Sequence, residues 1–350
     1  MNKVSIGGRS IGQGEPVFII AEAGVNHNGS LKLAKELVLK AKEAGADCVK
    51  FQTFKAERVV TKNAPKAAYQ LKTTPTTESQ LDMLKKLELA FADYQEILAH
   101  CRQHDIMFLS TPYSTEDADF LSTLSVPAFK IASGQIVEPA FLEYIAGKSL
   151  PVLLSTGMAT LEEVGSAVAT IQKTGNHGLI LLQCSTNYPT IPGDVNLRAM
   201  GTMEKAFGLN VGYSDHTKSS VACIAAVARG ACVIEKHFTL DKSLPGPDHS
   251  CSADPEEFRV LVKKIRETEE VLGSGTKEPT EAEKENMQGM RRSIVTKQAI
   301  KAGMVIARDM LDFKRPSTGI SPVSLDAVIG AAARVDIPED TVLVWGDIVK

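Results

Sequence analysis

The sequence has no apolar run of about 18 residues, the length that a membrane-spanning helix requires. Neither sign of charge is in excess, because 39 Lys and Arg stand against 42 Asp and Glu, for a net charge of −3. Basic clusters interleaved with aromatic residues are also missing, and aromatic residues make up only 5% of the chain. We therefore expect neither a membrane span nor a nucleic-acid partner.

Cysteine is scarce, with six scattered residues and no C-x-x-C pair. Four of them lie in or beside apolar runs, which is typical of buried, reduced thiols in a cytoplasmic protein. The segment MNKVSIGGRS lacks the apolar core of a signal peptide, so a cytoplasmic location is expected. A catalytic thiol stays open as an alternative at Cys184, which ends a predicted strand.

Eight short runs rich in Val, Ile, Leu and Phe recur before residue 240 and alternate with segments of helical period. The runs are continuously apolar, as expected of strands that are buried on both faces. Eight strands, each followed by a helix, predict an α/β fold of the TIM (β/α)8 barrel type. The predicted strands span residues 17–24, 48–54, 106–112, 128–134, 151–157, 179–185, 209–215 and 232–238.

Two stretches interrupt this pattern. Residues 55–89 are long for a strand-to-helix connection and contain one predicted helix near 78–89; such loops lie at the catalytic face of a barrel. Residues 273–289 are polar, and we predict a linker there. The chain then divides into a barrel over 1–272 and a small, mostly β module over 290–350. A module of that size is not very stable unaided.

His216 and His237 each stand where an apolar run ends, with one helix between them. The strands of a strand–helix–strand unit are parallel neighbours, so both imidazoles are expected at one mouth of the barrel. Two imidazoles completed by oxygen ligands suit Mn²⁺, Co²⁺, Fe²⁺ or Mg²⁺, although a purely structural role for a histidine is the alternative. Alternation puts Glu235 on the lumen side with His237, and Asp248 can add a further carboxylate.

Two lysines, Lys50 and Lys130, are embedded in the apolar strand ends VKFQ and FKIAS. A buried ammonium is costly without an anionic partner, which favours a phosphate or carboxylate pocket. Hydroxyl groups at neighbouring strand ends would supply directed donors to the same anion. These hydroxyls belong to Thr111, Ser133, Ser155 and Ser214, and for Ser155 a helix-capping role is an equal alternative.

Motifs over nearly the whole chain resemble, in the same order, the sialic acid synthase family of phosphoenolpyruvate-dependent synthases. They are IIAEAGVNHNGS (19–30), VKFQTF (49–54), FLSTPY (108–113), FKIASG (129–134), LLSTGMAT (153–160), NYPT (187–190), VGYSDHT (211–217), VIEKHFTLDKSLPGPDH (233–249) and KRPSTGIS (314–321). The C-terminal part resembles the antifreeze-like (SAF) domain of these enzymes. The resemblance thus implies a transferase made of a TIM barrel and a SAF domain.

The resemblance also implies site residues. His216 and His237 would ligate a divalent metal, with Mn²⁺ as first choice and Mg²⁺ or Co²⁺ as alternatives. The implied catalytic group is Glu22, Lys50, Lys130, Glu235 and Asp248. The implied substrate-binding group is Gln52, Thr111, Ser133, Gln135, Ser155, Tyr188, Ser214 and Arg315. Arg315 would reach from the C-terminal module of one subunit into the barrel of another, which implies a domain-swapped homodimer.

The implied reaction condenses phosphoenolpyruvate, N-acetylmannosamine and water to N-acetylneuraminate and phosphate, by C–O cleavage of a tetrahedral intermediate. The alternative acceptor is 2,4-diacetamido-2,4,6-trideoxymannose, which would give N,N′-diacetyllegionaminate. A Schiff-base aldolase using Lys50, Lys130 or Lys236 is a rival class that would need no metal and would be trapped by borohydride. An ice-binding module is a second rival, but Lys314 and Arg315 do not suit the uncharged face that it needs.

The chain departs from the family pattern at three places. Family members usually carry an acidic residue where this chain has Gln135, and the amide removes a proton donor or acceptor. The KRPGNG of the family is KRPSTG here, so the loop of Arg315 has one glycine fewer. Some members have Asn in place of Thr186, which bears on sugar contacts. The segment PKAAYQLKTTPTTESQLDMLKKLEL (65–89) resembles both the bacterial sialic acid synthases and the legionaminic acid synthases and does not separate them.

Overall fold

The computed structural model describes residues 2–67, 69–75 and 77–349. One compact unit ends at Gly273, and a second begins at Ser274. The first unit is an eight-stranded parallel sheet surrounded by helices, and the second is a small unit built mainly from short strands. The predicted barrel and small β module are therefore confirmed. Among the described residues, no helix is long and apolar enough to cross a membrane.

The barrel sheet follows a short N-terminal hairpin. The hairpin strands are β1 (Val4–Ile6) and β2 (Arg9–Ile11). The barrel strands are β3 (Phe18–Gly24), β4 (Cys48–Thr53), β5 (Met107–Pro112), β6 (Phe129–Ile131), β7 (Val152–Ser155), β8 (Leu179–Gln183), β9 (Asn210–Asp215) and β10 (Val233–His237). They lie in the order β5-β4-β3-β10-β9-β8-β7-β6, with every ladder parallel, and β5 and β6 are in contact at the two ends.

Each barrel strand lies within its predicted span. The largest difference is at 128–134, where β6 ends at Ile131 and residues 133–135 form a 3-10 turn. This turn carries two of the predicted site residues, Ser133 and Gln135, away from the sheet ladder.

Several helices begin at side-chain caps that are visible in the sequence. Ser30, Ser114, Thr160 and Asp254 each accept a backbone N–H of the first helical turn, which satisfies an otherwise unpaired donor. The helices of the first unit are α1 (Leu31–Glu43), α2 (Ala56–Val59), α3 (Gln70–Thr73), α4 (Gln80–Lys85), α5 (Phe91–Gln103), α6 (Thr115–Thr123), α7 (Pro139–Gly147), α8 (Leu161–Lys173), α9 (Arg198–Phe207), α10 (Val221–Ala228) and α11 (Pro255–Leu272).

The long connection over 55–89 contains three short helices, α2, α3 and α4, where the sequence predicts one. The predicted helix near 78–89 corresponds to α4. The segment is held together by the buried ammonium of Lys66, which donates to Thr74 Oγ1 at 3.0 Å, to the Pro75 carbonyl at 2.9 Å and to Glu78 Oε2 at 3.0 Å. A cation with three acceptors gives this connection a fixed shape.

Strand side chains alternate between two buried layers, which explains why the runs are continuously apolar. Ile19 and Ile234 belong to the outer layer, which packs against the helices. Their neighbours Ile20 and Val233 belong to the layer that fills the lower lumen.

The lower end of the lumen is closed by the N-terminal hairpin. Val4, Ile6 and Ile11 are buried in the same cluster as the lumen-facing strand residues. The sequence pattern does not predict this hairpin, because strands of three residues are too short to show a period. Because the hairpin covers the amino ends of the strands, the polar part of the lumen lies towards their carboxyl ends.

The second unit contains the strands β11 (Ser293–Thr296), β12 (Leu311–Lys314), β13 (Ala332–Ala333) and β14 (Ile348–Val349) and the helices α12 (Glu281–Met290) and α13 (Leu325–Val328). Its core is one cluster of mainly aliphatic residues, which include Ile294, Ile306 and Leu343. Helix α12 lies in the segment 273–289 where we predict a linker, so most of that segment is ordered as a helix.

Candidate active site

The lumen changes from apolar to charged at the carboxyl ends of the strands. Two residues beyond the apolar layer, alternation brings Glu22, Lys50, Lys130 and Glu235 into the lumen, and none of them is more than 4% exposed. The ladder registers place Glu22 opposite Lys50. Four charged groups are therefore enclosed in a barrel with apolar walls, where each needs a partner of the opposite sign.

The four charges neutralise one another in pairs. Lys50 Nζ lies 2.6 Å from Glu22 Oε2 and 3.6 Å from Glu235 Oε2. Lys130 Nζ lies 3.5 Å from Glu235 Oε1, to which Ser214 Oγ donates at 3.0 Å. Glu235 thus stands between two ammonium groups.

The pKa shifts follow from this geometry. Burial alone would raise the pKa of Glu235, but the ammonium groups of Lys130 and Lys50 lower it to about 2. Burial acts to lower the pKa of Lys50, yet Glu22 and Glu235 outweigh it and raise that pKa. Burial raises the pKa of Glu22. Glu235 and Lys50 therefore carry their charges throughout the physiological pH range.

Lys130 is the less compensated of the two cations. Burial lowers its pKa, more than Glu235 can raise it. Within the described residues, its Nζ donates a long hydrogen bond, of 3.4 Å, to the Ile131 carbonyl and forms a 3.5 Å ion pair with Glu235. An anion that enters the lumen would improve the electrostatic environment of this ammonium.

Hydroxyl groups surround the two lysines. Lys50 Nζ donates to Thr111 Oγ1 at 3.1 Å. Ser133 Oγ accepts from the Gly157 backbone N–H at 3.0 Å and lies 3.1 Å from Cys184 Sγ. A side chain at Gly157 would not fit, because its Cβ would lie 2.8 Å from Ser133 Oγ and 2.9 Å from Cys184 Sγ.

Ser155 is buried at the end of β7 and lines the same cavity. Thr160 caps α8, the helix that follows Ser155, so the capping alternative for Ser155 is wrong. Cys184 also lines the cavity, where its thiol belongs to the hydrogen-bonded group around Ser133.

The two histidines meet at the mouth of the lumen, with ring centroids 5.4 Å apart. His216 Nδ1 lies 2.6 Å from the Ser185 carbonyl, so Nδ1 carries the hydrogen and Nε2 keeps its lone pair. His237 Nδ1 is buried without a hydrogen-bond partner within the described ranges, and the nearest carboxylate oxygen, Asp248 Oδ2, is 3.8 Å away. Burial lowers the pKa of both imidazoles, so both are neutral.

Neutral imidazoles with free lone pairs are the donor type that a transition metal takes. The buried, unpartnered Nδ1 of His237 is the observation that favours a ligand role. Over the part of the chain that the structure describes, no cluster of three or more His, Cys, Asp or Glu side chains forms a ligand set. Two histidines would therefore need oxygen atoms from water or substrate to complete a coordination shell.

Asp248 faces the same space from the loop after β10. Burial, with a smaller effect of the neighbouring Glu22, raises the pKa of Asp248 to about 7. Because its pKa lies near neutrality, the carboxyl group of Asp248 can accept or release a proton at physiological pH.

The neighbouring carboxylate of Glu22 is held by a short chain of hydrogen bonds. Gln52 Nε2 donates to Glu22 Oε1 at 3.1 Å, and Tyr113 OH donates to Gln52 Oε1 at 3.3 Å.

One cavity of about 320 Å³ collects nearly all the predicted residues. It is lined by Glu22, Lys50, Gln52, Thr111, Lys130, Ser133, Gln135, Ser155, Tyr188, Ser214, His216, Glu235, His237 and Asp248. Arg315 belongs to the second unit, where it is exposed and its Nε donates to the Met290 carbonyl at 2.9 Å. Lys236 faces away from the lumen and pairs with Asp215, so the Schiff-base reading that used Lys236 is wrong.

Sequence reasoning missed the apolar side of the cavity. We call it the apolar wall; it consists of Val25, Phe54, Val59, Val60, Met83, Leu84 and Leu87. Most of these residues come from the 55–89 connection, whose scattered apolar positions were the available signal. Next to the wall, the ring of Tyr69 lies 4.8 Å from that of Tyr188, which in turn lies 4.2 Å from His216.

Gln135 is one of the predicted residues whose side chain has a buried polar atom without a partner in the described regions. It is 5% exposed, and the unpaired atom is Oε1. An unpaired buried acceptor is costly, so a ligand N–H or O–H would be bound favourably there.

The fold, with its polar cavity at the carboxyl ends of the strands, is typical of a barrel enzyme. The NeuB family model matches residues 37–277, and a SAF domain model matches residues 291–349. The chain belongs to the NeuB family of nonulosonic acid synthases, which are phosphoenolpyruvate-dependent transferases.

Relatives with assigned activities extend over nearly the whole chain. The N,N'-diacetyllegionaminic acid synthase of Legionella pneumophila is 47% identical over 332 residues, which cover 94% of this chain and 93% of the relative. The human N-acetylneuraminate-9-phosphate synthase is 36% identical, with 95% and 93% covered. The crystal structure of a sialic acid synthetase from Leptospira borgpetersenii superposes with a TM-score of 0.74 at 34% identity, with 82% of this chain and 95% of that chain covered.

Replacing Glu235 tests the charge balance of the lumen. Glu235→Gln leaves Lys130 without a carboxylate partner, and we expect the free energy of unfolding to fall by about 3–5 kcal/mol, as measured by urea unfolding. Inorganic phosphate should then raise the melting temperature more in this variant than in the parent. Glu256→Gln, which removes an exposed carboxylate paired with Arg259, is the control and should change stability little. If Glu235→Gln were as stable as the parent, Glu235 would not be needed to neutralise Lys130.

Proposed function

We propose that this protein condenses phosphoenolpyruvate with 2,4-diacetamido-2,4,6-trideoxymannose and water, giving N,N′-diacetyllegionaminate and phosphate. The observation that carries this choice is the apolar wall beside the charged cluster. The higher identity to a legionaminic acid synthase than to the human sialic acid 9-phosphate synthase points the same way. N-acetylmannosamine, the acceptor first expected from the sequence, becomes the second candidate.

The chemistry of the two sugars explains why the wall matters. The diacetamido sugar carries a methyl group at C6 and a second acetyl methyl at C4, where N-acetylmannosamine carries hydroxyl groups. Burying a methyl or methylene group gains about 0.8 kcal/mol, whereas burying an unpaired hydroxyl costs about 1–3 kcal/mol. A wall with side chains such as Val59, Leu84 and Leu87 therefore favours the deoxy sugar.

The charged end of the cavity would hold phosphoenolpyruvate. Its phosphate and carboxylate need cations and directed donors, which Lys50, Lys130 and the surrounding hydroxyls supply. Lys130 is the principal anion-binding group in this proposal, because its ammonium lies farther from its carboxylate partner than that of Lys50 does and is therefore less fully neutralised. The hydroxyls concerned are those of Thr111, Ser133, Ser155 and Ser214.

His216 and His237 would hold a divalent metal, for which Mn²⁺ is our first choice. Such an ion supplies Lewis-acid polarisation of an aldehyde oxygen. The protein provides two neutral imidazoles in fixed orientation. The ring centroid of Tyr188 lies 4.2 Å from that of His216 and 5.6 Å from that of His237.

In the proposed reaction, carbon 3 of phosphoenolpyruvate attacks the aldehyde carbon of the open-chain sugar. The aldehyde oxygen becomes a hydroxyl by taking the proton of the Asp248 carboxyl group, and water then adds to carbon 2 while the Asp248 carboxylate accepts the proton that the water loses. The resulting tetrahedral intermediate expels phosphate by cleavage of its C–O bond, and the proton of the carbon 2 hydroxyl passes to the leaving phosphate as the carbonyl forms. Lys50 and Lys130 stabilise the charge that develops on the leaving phosphate, because they already lie where this charge appears.

The acceptor is identified by phosphate release from phosphoenolpyruvate with Mn²⁺, with each sugar offered separately. We expect rapid release with the diacetamido sugar, little with N-acetylmannosamine, and loss of release after EDTA treatment. Preference for N-acetylmannosamine would favour the second candidate. EDTA-resistant activity that borohydride traps would instead indicate a Schiff-base aldolase.

Gln135 is proposed to contribute to this choice by accepting a hydrogen bond from the C4 acetamido N–H, which N-acetylmannosamine lacks. Gln135→Leu has nearly the same volume but carries no acceptor for this N–H. We expect kcat/KM for the diacetamido sugar to fall by about tenfold, the equivalent of one hydrogen bond. Gln183→Leu, at a half-buried position outside the cavity, is the matched control. An unchanged sugar preference in Gln135→Leu would exclude this role.

We also propose a domain-swapped homodimer in which Arg315 completes the site of the partner subunit. Complementation tests this directly, because Arg315→Ala and His216→Ala would each be inactive alone. Co-expressed mixed dimers would contain one intact site, and about a quarter of the parent activity should return. An Arg315 that acts on its own barrel would give no recovery.

A further inference from the structure

A buried ion pair lies on the outer face of the two strands that carry the histidines. Asp215 and Lys236 precede His216 and His237 directly, and they are register partners on β9 and β10. Because side chains alternate along a strand, this pair points away from the lumen, and it does not line the cavity. Asp215 is 1% exposed and Lys236 is 6% exposed.

The pair joins the two strands at the level of the histidines. Lys236 Nζ lies 2.6 Å from Asp215 Oδ2 and also donates to the Thr217 carbonyl at 2.7 Å. Asp215 Oδ1 accepts from the Thr217 backbone N–H at 2.8 Å and from Tyr213 OH at 3.0 Å. The backbone is therefore held on both sides of His216.

Stability alone does not account for this arrangement. A buried ion pair can often be replaced by apolar residues of similar volume without loss of stability, because desolvating two charges offsets their attraction. The ion pair instead specifies how β9 and β10 are aligned, because its hydrogen bonds are satisfied in only one register of the two strands. A slip of one residue would turn a histidine out of the lumen.

We propose that Asp215 and Lys236 are positioning residues, which hold His216 and His237 side by side so that both imidazoles reach one divalent ion. The inference rests on the metal site of the proposed function. Asp215 and Lys236 contact neither the lumen nor the substrates. They act through the strands, as the outer partners of metal ligands commonly do.

The test measures the binding of Mn²⁺ to the substrate-free protein. Binding is monitored as the decrease in the EPR signal of free Mn²⁺. Lys236→Met alone would leave a buried carboxylate without its cation and endanger folding. We therefore combine it with Asp215→Asn, whose Oδ1 can still accept from Thr217 and Tyr213. We expect the double variant to fold and to bind Mn²⁺ with a Kd raised about tenfold or more. Hydrogen exchange of the Thr217 amide should also accelerate.

Two control variants separate positioning from a general loss of stability. Cys223→Ala removes a thiol that donates to Asp215 Oδ2 at 3.1 Å from α10 but does not link the strands. Arg266→Met removes a partner of Asp47, 2.9 Å away on the outside of the barrel. Both should bind Mn²⁺ with the affinity of the parent, even where the melting temperature falls.

The variants test whether Asp215 and Lys236 position the histidines, whereas the parent tests whether the metal site exists. A folded double variant whose Kd for Mn²⁺ stays within twofold of the parent overturns the positioning role and leaves the metal site intact. A comparable loss of affinity in Arg266→Met overturns it as well. A parent that binds no Mn²⁺ removes the metal site itself, and the inference falls with it.

Discussion

The site depends on the mutual neutralisation of four charges inside a barrel with apolar walls. Lys50 and Lys130 can be buried there because Glu22 and Glu235 enter the lumen on neighbouring strands. Lys50 already has a close carboxylate partner, whereas Lys130 has longer contacts, so an entering phosphate or carboxylate would gain most at Lys130. The low exposure of the cluster makes each such contact stronger than it would be in water.

The strands serve two purposes because both of their faces are buried. The lumen face carries the ionisable groups, whereas the outer face packs against helices and carries the Asp215–Lys236 pair. Neighbouring residues of one strand thus have separate tasks, as Lys236 and His237 illustrate. Substitutions on the outer face can disturb the chemistry without touching a substrate, because the ladder fixes the position of every lumen residue.

Much of this could be predicted from the sequence, and the physical reasons are specific. Continuous apolar runs reveal strands buried on both faces, and polar residues at their ends, such as Lys50 and His237, mark the catalytic mouth. The hairpin around Ile6 escaped prediction because its strands are too short to show a period. Helix α12 escaped because its exposed residues form no apolar face. The apolar wall joins Val25 to Leu87, and only the folded connection brings such distant residues together.

Because the N-terminal hairpin closes the lower end of the barrel, ligands would reach the lumen from the carboxyl ends of the strands. In the proposed reaction, phosphoenolpyruvate at Lys50 and Lys130 would lie deeper in the lumen than the sugar at the apolar wall. A sugar at the wall would then obstruct the path to the lysines. Access alone would impose an order on turnover: the deeper ligand would enter first, and inorganic phosphate would leave after the larger product.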